Sequence, residues 1–132
     1  MENSICIDSD ILIDFLRGKP ETVKWINENE EYYAFAITTI NAFELYSGAY
    51  KSNNPSQKLK IINDLIDRLK ILNFSLEIAE KAGKQFSQLE DQGEIIEIRD
   101  LFIGMIALCE GFSIKTNNSK HFSRIAGLNI IN

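Results

Sequence analysis

Short apolar runs alternate with longer amphipathic ones along most of this chain, and that alternation leaves few folds open. Ile5 to Ile7, "YYAFAI" (32–37), "KILNF" (70–74), "FSIKT" (112–116) and the edge segment "LNII" (128–131) have the length and character of strands. Between them, apolar residues recur at helical spacing. Ile11, Leu12, Phe15 and Leu16 follow the first run, with Ser9 as N-cap and Gly18 as terminator. Pro20 suits the first turn of a helix over Glu21 to Asn29. Thr38 or Thr39 caps a helix carrying Ala42, Leu45, Tyr46 and Ala49. Residues 56–70 place Leu59, Ile62, Leu65, Ile66 and Leu69 on one stripe, and a further helix runs from about Leu76 to Leu89. "EDQGEIIEI" reads as an acid-rich turn, and Asp100 opens a helix, apolar nearly all round, that stops at Gly111. Strands separated by helices predict an α/β fold, a three-layer α/β/α sandwich around a central, mostly parallel sheet. At 132 residues the chain is expected to be one domain, 1–132, with no internal repeat or linker.

Composition narrows the chemistry. With 45% hydrophobic and 25% charged residues the chain is ordinary for a soluble globular protein. The beginning carries no basic leader and charges break every apolar run, so a cytoplasmic protein without membrane contact is expected. Cys6 and Cys109 sit in apolar runs and read as small core residues; with a single His and no CxxC, zinc is disfavoured. A net charge of -5 argues against binding a polyanion through the overall field alone. A bound cation could locally offset that charge.

The acids themselves form the most informative pattern. Asp8 directly follows the first strand, Glu44 lies early in the helix after the second, and Asp100 begins the apolar helix before "FSIKT", after which come Thr116, Asn117 and Asn118. In parallel sheets the strand ends that feed helices share one edge, where ligands bind. Two carboxylates about 4 Å apart repel by roughly 4 kcal/mol at an effective dielectric of about 20, so three in one pocket call for a cation or a proton. Hard oxygen donors with room for water suit Mg2+ or Mn2+, which can activate water and stabilise a displacement at phosphorus.

The segments "CIDSDILIDFLRG", "ITTINAFELYSGA", "IRDLFIGMIALCEGFSIKTNNSKHF" and "IAGLNII" resemble, in order, the successive motifs of PIN-domain nucleases, in particular the VapC toxins of VapBC toxin-antitoxin pairs. The resemblance implies a magnesium- or manganese-dependent endoribonuclease that hydrolyses RNA phosphodiesters with metal-activated water. It implies catalytic acids at Asp8, Glu44 and Asp100, with Asp8 and Asp100 holding the metal and Ser9, Thr116 and Asn118 in support. It also implies a homodimer and a VapB-like antitoxin whose C-terminal segment wraps the groove. Three positions depart from the family pattern: Asp10 where Asn is common, Asn41 where a hydroxyl residue usually precedes the Glu, and Asn118 where a fourth acid often stands. An amide brings no charge, so one firmly held ion is expected.

Other residues have plainer readings. Asp10 is open between supporting the site and facing solvent, Asp14 reads as solvated, and Glu90, Asp91, Glu94 and Glu97 as a wet helix end and loop. His121, beside Phe122, is expected on a short helix over the site's edge; a metal-activated water needs no separate base. Arg17, Lys115, Lys120 and Arg124 are candidate contacts to RNA phosphates. Tyr32, Tyr33, Phe35 and Phe43 are assigned to core or interface burial. Two alternatives stand beside the nuclease. "DSD" after a strand imitates the nucleophile pair of haloacid-dehalogenase-type phosphatases, with Asp8 as nucleophile, although Leu12 stands where that family wants Thr or Val. A noncatalytic PIN-fold binding module is the other.

Overall fold

The computed structural model describes residues 3–131; Met1, Glu2 and Asn132 of the expected 1–132 domain lie outside the described residues. In chain order the elements are β1 (Ser4–Ile7), α1 (Ser9–Leu16), α2 (Pro20–Asn29), β2 (Ala34–Thr38), α3 (Thr39–Tyr50), α4 (Pro55–Ile66), β3 (Lys70–Leu72), α5 (Leu76–Asp91), α6 (Ile98–Glu110), β4 (Ser113–Lys115), α7 (Ser119–Phe122) and β5 (Ile130–Ile131). The strands form one sheet in the order β3-β2-β1-β4-β5. Every pairing in it is parallel, so the expected mostly parallel sheet is wholly parallel among the described residues.

Because β1 is central, its alternate side chains serve two cores. Ile5 and Ile7 pack with Ile11, Leu12, Leu45, Ile62 and Leu65 beneath α1, α3 and α4. Cys6 faces the other way, into a cluster with Ile78, Leu101, Ile106 and Phe122 of α5, α6 and α7. A strand buried on both faces needs apolar residues at every position, which explains why "ICI" shows no polar alternation. Burial pushes the Cys6 thiol up to about 12, with the Asp8 charge adding to it, so this cysteine is inert. Cys109 is also free and half-buried.

Element boundaries moved for local reasons. Asp8 rather than Ser9 is the N-cap of α1, its side chain accepting from the Ser9 backbone N–H. Tyr32 and Tyr33 precede β2 in a turn, and Thr38 caps α3. Asn54 caps α4 through the Gln57 N–H, so that helix spans Pro55–Ile66 and ends short of residue 70. Of the four aromatics assigned to burial, Tyr33 and Phe35 pack on the core, whereas Tyr32 and Phe43 are exposed on the single chain.

α6 crosses the core beneath the sheet, and its Gly104 marks the tightest approach. A Cβ there would lie 2.3 Å from Ile125 Cδ1, 3.2 Å from Phe122 Cδ1 and 3.3 Å from Leu128 Cδ2. Since Phe122 and Ile125 are themselves buried, Gly104→Ala is expected to destabilise the fold by about 1–3 kcal/mol. A lowered urea midpoint would show this; an unchanged midpoint would mean that Ile125 swings aside freely.

Candidate active site

The chain turns from β1 to β2 on one side and later crosses to β4 on the other, so the carboxyl ends of β1 and β4 flank the point where the strand order reverses. Asp8 caps β1 there, its backbone N–H extending the ladder to the Lys115 carbonyl at 2.9 Å. Thr116 follows β4, and its hydroxyl donates to Asp8 Oδ2 at 2.7 Å while accepting from the Asn118 N–H at 3.0 Å. Asp100, in the first turn of α6, and Glu44, in α3, complete the edge. Asp8 and Asp100 are 0% and 2% exposed. Burial this deep is costly for a carboxylate without a partner.

The partner is Arg99. Its Nη2 donates to Asp8 Oδ1 at 2.7 Å and to Glu44 Oε1 at 2.9 Å, its Nε to Glu44 Oε2 at 2.6 Å, and its Nη1 to Asp100 Oδ1 at 2.7 Å. One planar fork thus bridges all three acids, as guanidinium geometry permits. Burial alone would lower the Arg99 pKa, but the bonds to Glu44, Asp8 and Asp100 raise it well above the ordinary arginine value. For Glu44, burial works toward a higher pKa, yet the Arg99 bonds and the Ser9 hydroxyl outweigh it and hold the carboxyl below its usual value.

A polar lattice orients this set. Ser9 Oγ donates to Glu44 Oε1 at 2.7 Å and accepts from Asn41 Nδ2 at 2.9 Å; the same amide reaches Asp8 Oδ1 at 3.3 Å. Asn41 Oδ1 in turn accepts from the Thr38 N–H and hydroxyl, closing a capping box at the start of α3. The amide at Asn41 therefore does structural work in place of the expected hydroxyl. Asn41→Ala is expected to cost about 1–3 kcal/mol, because it opens the cap and strips a buried donor from Asp8 and Ser9. Chemical denaturation tests this, and a loss under about 0.5 kcal/mol would contradict it.

Around this centre the other candidates separate. Asp10 accepts from the Ile11 and Asn117 N–H groups at 2.8 and 3.0 Å, so it ties α1 to the loop after β4 and stands at the site's flank. Burial, then the Asp8 charge, raises its pKa. Asp14 pairs with Lys19 at 3.7 Å near the surface. His121 Nδ1 lies 3.1 Å from Asp100 Oδ2, so α7 does sit over the edge and its imidazole touches an acid of the triad. Asn118 bonds Thr116 through its backbone and its residue is exposed. Arg17 and Lys120 are exposed; Lys115 lies over the Trp25 ring at 4.8 Å, and Arg124 donates to the Ile95 carbonyl. Burial lowers the Lys115 pKa, against the pull of Asp10.

The sequence reading did not single out Arg99. Its signal was a lone basic residue adjoining Asp100, masked because α6 begins at Ile98, two residues before the expected start.

A groove of about 290 Å³ between α1, α3 and α4 runs up to Glu44, lined by Ile13, Leu16 and Leu45 with Arg17 and Lys58 among its charged residues. A wider cavity of about 540 Å³, beside Phe15, Tyr33 and Leu69, touches none of the three acids.

Among the described residues, no set of three or more His, Cys, Asp or Glu is drawn together closely enough to chelate an ion as it stands. The donor chemistry nonetheless fits one: three hard carboxylates converge on a single positive group, the Arg99 guanidinium. Among the described residues, no helix is long and apolar enough to cross a membrane.

Comparison with known proteins identifies the family. A PIN-domain family model matches residues 5–128. The chain belongs to the PIN-domain family. Within it, this PIN domain is similar to ribonuclease VapC2 of Haemophilus influenzae, at 31% identity with 92% of each chain covered. It is also 30% identical to the tRNA(fMet)-specific endonuclease VapC of Shigella flexneri, again over 92% of each. Its fold matches that of the VapBC2 complex of Rickettsia felis bound to a DNA fragment from its promoter, with a TM-score of 0.88, 28% identity and 98% of each chain covered. These are VapC relatives, and the chain is a PIN domain of the VapC type.

Proposed function

We propose that this PIN domain is the toxin of a type II toxin-antitoxin pair, a magnesium- or manganese-dependent endoribonuclease of the cytoplasm. The observation that carries the reading is the convergence of Asp8, Glu44 and Asp100, drawn from three separate elements, on one cation at the sheet's carboxyl edge. Relatives named as ribonucleases, similar over nearly their whole length, support it.

Asp8 and Asp100 would hold the metal. When bound, a divalent ion supplies Lewis acidity toward a phosphate oxygen and lowers the pKa of water. The chain's own residues do the rest. Thr116 and the Ser9 N–H fix the Asp8 carboxylate in one rotamer. Ser9, held by Asn41, fixes Glu44, which would complete the metal's shell or orient the attacking water. Asn118 supports Thr116 through its backbone. Arg17, Lys115, Lys120 and Arg124 would be the groups for RNA phosphates, although Lys115 and Arg124 are already engaged by Trp25 and the Ile95 carbonyl. Hydrolysis by water in line with the leaving 3′ oxygen yields a 5′-phosphate and a 3′-hydroxyl.

The groove that ends at Glu44 suits an apolar segment of a VapB-like antitoxin, in keeping with the VapBC complexes that share this fold. The toxin itself would act as a homodimer. End-group analysis of cleaved RNA tests the chemistry: 5′-phosphate ends formed with Mg2+ and blocked by EDTA or by antitoxin are expected. Cyclic phosphate ends formed in EDTA would refute it. An acyl-phosphate trapped on Asp8 would instead favour the phosphatase reading.

A further inference from the structure

Arg99 fills the space between the three acids proposed to serve the metal. Its fork takes Asp8 Oδ1, Asp100 Oδ1 and both oxygens of Glu44. The remaining oxygens of the two buried acids are also engaged, Asp8 Oδ2 by Thr116 and Asp100 Oδ2 by His121. Contacts of 2.6–2.9 Å to the rim of a guanidinium hold the acids apart. Their oxygens stand farther from its centre than the roughly 2.1 Å at which Mg2+ is bound. Among the described residues the acids, though convergent, do not form a chelating set as they stand.

Arg99 also has a way out. It lies in the first turn of α6, beside exposed Ile98, and its side chain is 27% exposed while Asp8 and Asp100 are sealed. A long stem of this kind can carry its charged head to water.

We propose that Arg99 is a built-in counter-cation that spreads the three acids in the metal-free protein and is expelled when a divalent ion enters, so that the Arg99 ion pairs and the bound metal exclude one another. The inference rests on the metal-dependent reading above. It gives Arg99 two consequences that a merely structural ion pair lacks. Arg99 sets the metal affinity of the site by competition, and it changes its own environment on metal binding. Competition is reciprocal: whatever Arg99 contributes to holding the acids is subtracted from metal affinity.

Nitrogen-15 NMR of the arginine Nε–H groups of the intact wild-type protein, titrated with Mg2+ and followed in parallel by calorimetry, tests this directly. Arg99 is assigned by the peak missing from Arg99→Lys. The expected result is a protected Arg99 Nε–H in EDTA that loses its protection and shifts as Mg2+ saturates the site. Arg99→Met, which cannot compete, is expected to bind Mg2+ more tightly by roughly 5- to 150-fold, with Arg99→Lys between the two. A saturated calorimetric isotherm with an unmoved Arg99 signal would overturn the proposal and leave the metal reading standing. Weaker Mg2+ binding by a folded Arg99→Met would do the same, since it would make Arg99 a support of the bound state. If neither Mg2+ nor Mn2+ binds the wild type at millimolar concentration, the metal reading and this inference fall together. Should Arg99→Met not fold without metal, the wild-type titration alone decides.

Discussion

Asp100→Asn is expected to lower RNA cleavage by roughly 10²- to 10³-fold with the fold intact, and Asp8→Asn by a similar factor. Asparagine keeps the shape of the side chain and an oxygen for Arg99 to bond, so packing around α6 is preserved. What it removes is charge on the donor expected to hold the metal, and an amide oxygen is a much poorer ligand for Mg2+. Both carboxylates are buried, so solvent does not screen the loss. Losing one of the three acids also relieves their mutual repulsion around Arg99, so a melting temperature at or near that of the wild type is expected in EDTA. Single-turnover cleavage of a defined RNA, with circular dichroism as the control for folding, measures both. A folded Asp100→Asn protein that retained more than about a tenth of the wild-type rate would move the chemistry away from this triad.

The second large effect concerns stability. Arg99→Met in EDTA is expected to cost about 3–5 kcal/mol, because it leaves two sealed carboxylates and a third beside them without a counter-charge. For a chain of 132 residues this corresponds to a fall in melting temperature of roughly 10 °C or more. The pH dependence should change with it. Glu44 is held below its ordinary pKa chiefly by Arg99 against the opposing effect of burial. Its contribution is therefore present above the unfolded carboxylate pKa of about 4.3 and is lost as pH falls through the lowered folded value. In Arg99→Met burial and like charge, both of which favour the protonated acid, are opposed at Glu44 only by the Ser9 hydroxyl. That variant should gain stability on mild acidification, where the wild type does not. Melting curves between about pH 4 and pH 7 without metal separate the two cases. Parallel curves of equal height would show that the ion pairs contribute little.

Much of this architecture was legible in the order of apolar runs. "ICI" demanded a strand covered on both faces, and β1 is the central strand, with Ile5 and Ile7 in one core and Cys6 in the other. An acid directly after a strand, one early in the next strand's helix and one opening the apolar helix pointed to a single sheet edge, and there Asp8, Glu44 and Asp100 meet at Arg99. What the sequence concealed were side-chain partnerships that depend on the first turn of a helix. α6 starts at Ile98 without a side-chain cap, so nothing marked its first turn, and Arg99 looked like the end of an acidic loop. Basic residues were sought after the strands, at Lys115, Lys120 and Arg124, while the one that meets the acids precedes Asp100 by a single position. Asn41 was similarly opaque. Read against the family it is a missing hydroxyl; in the fold its amide serves the capping box of α3 and donates to Asp8 and Ser9. Tyr32 and Phe43 are apolar enough to suggest a core, but their exposure depends on which way the turn before β2 and the outer face of α3 point.

Total cellular RNA incubated with the purified, antitoxin-free protein gives the most direct test of the central claim, with Mg2+ or Mn2+ on one side and EDTA on the other, beside the Asp8→Asn, Asp100→Asn double variant. Discrete fragments that appear only with metal and only with the intact acids are predicted. Fragments that persist in EDTA, or that the folded double variant produces equally well, would contradict the assignment of metal-dependent RNA hydrolysis to Asp8, Glu44 and Asp100.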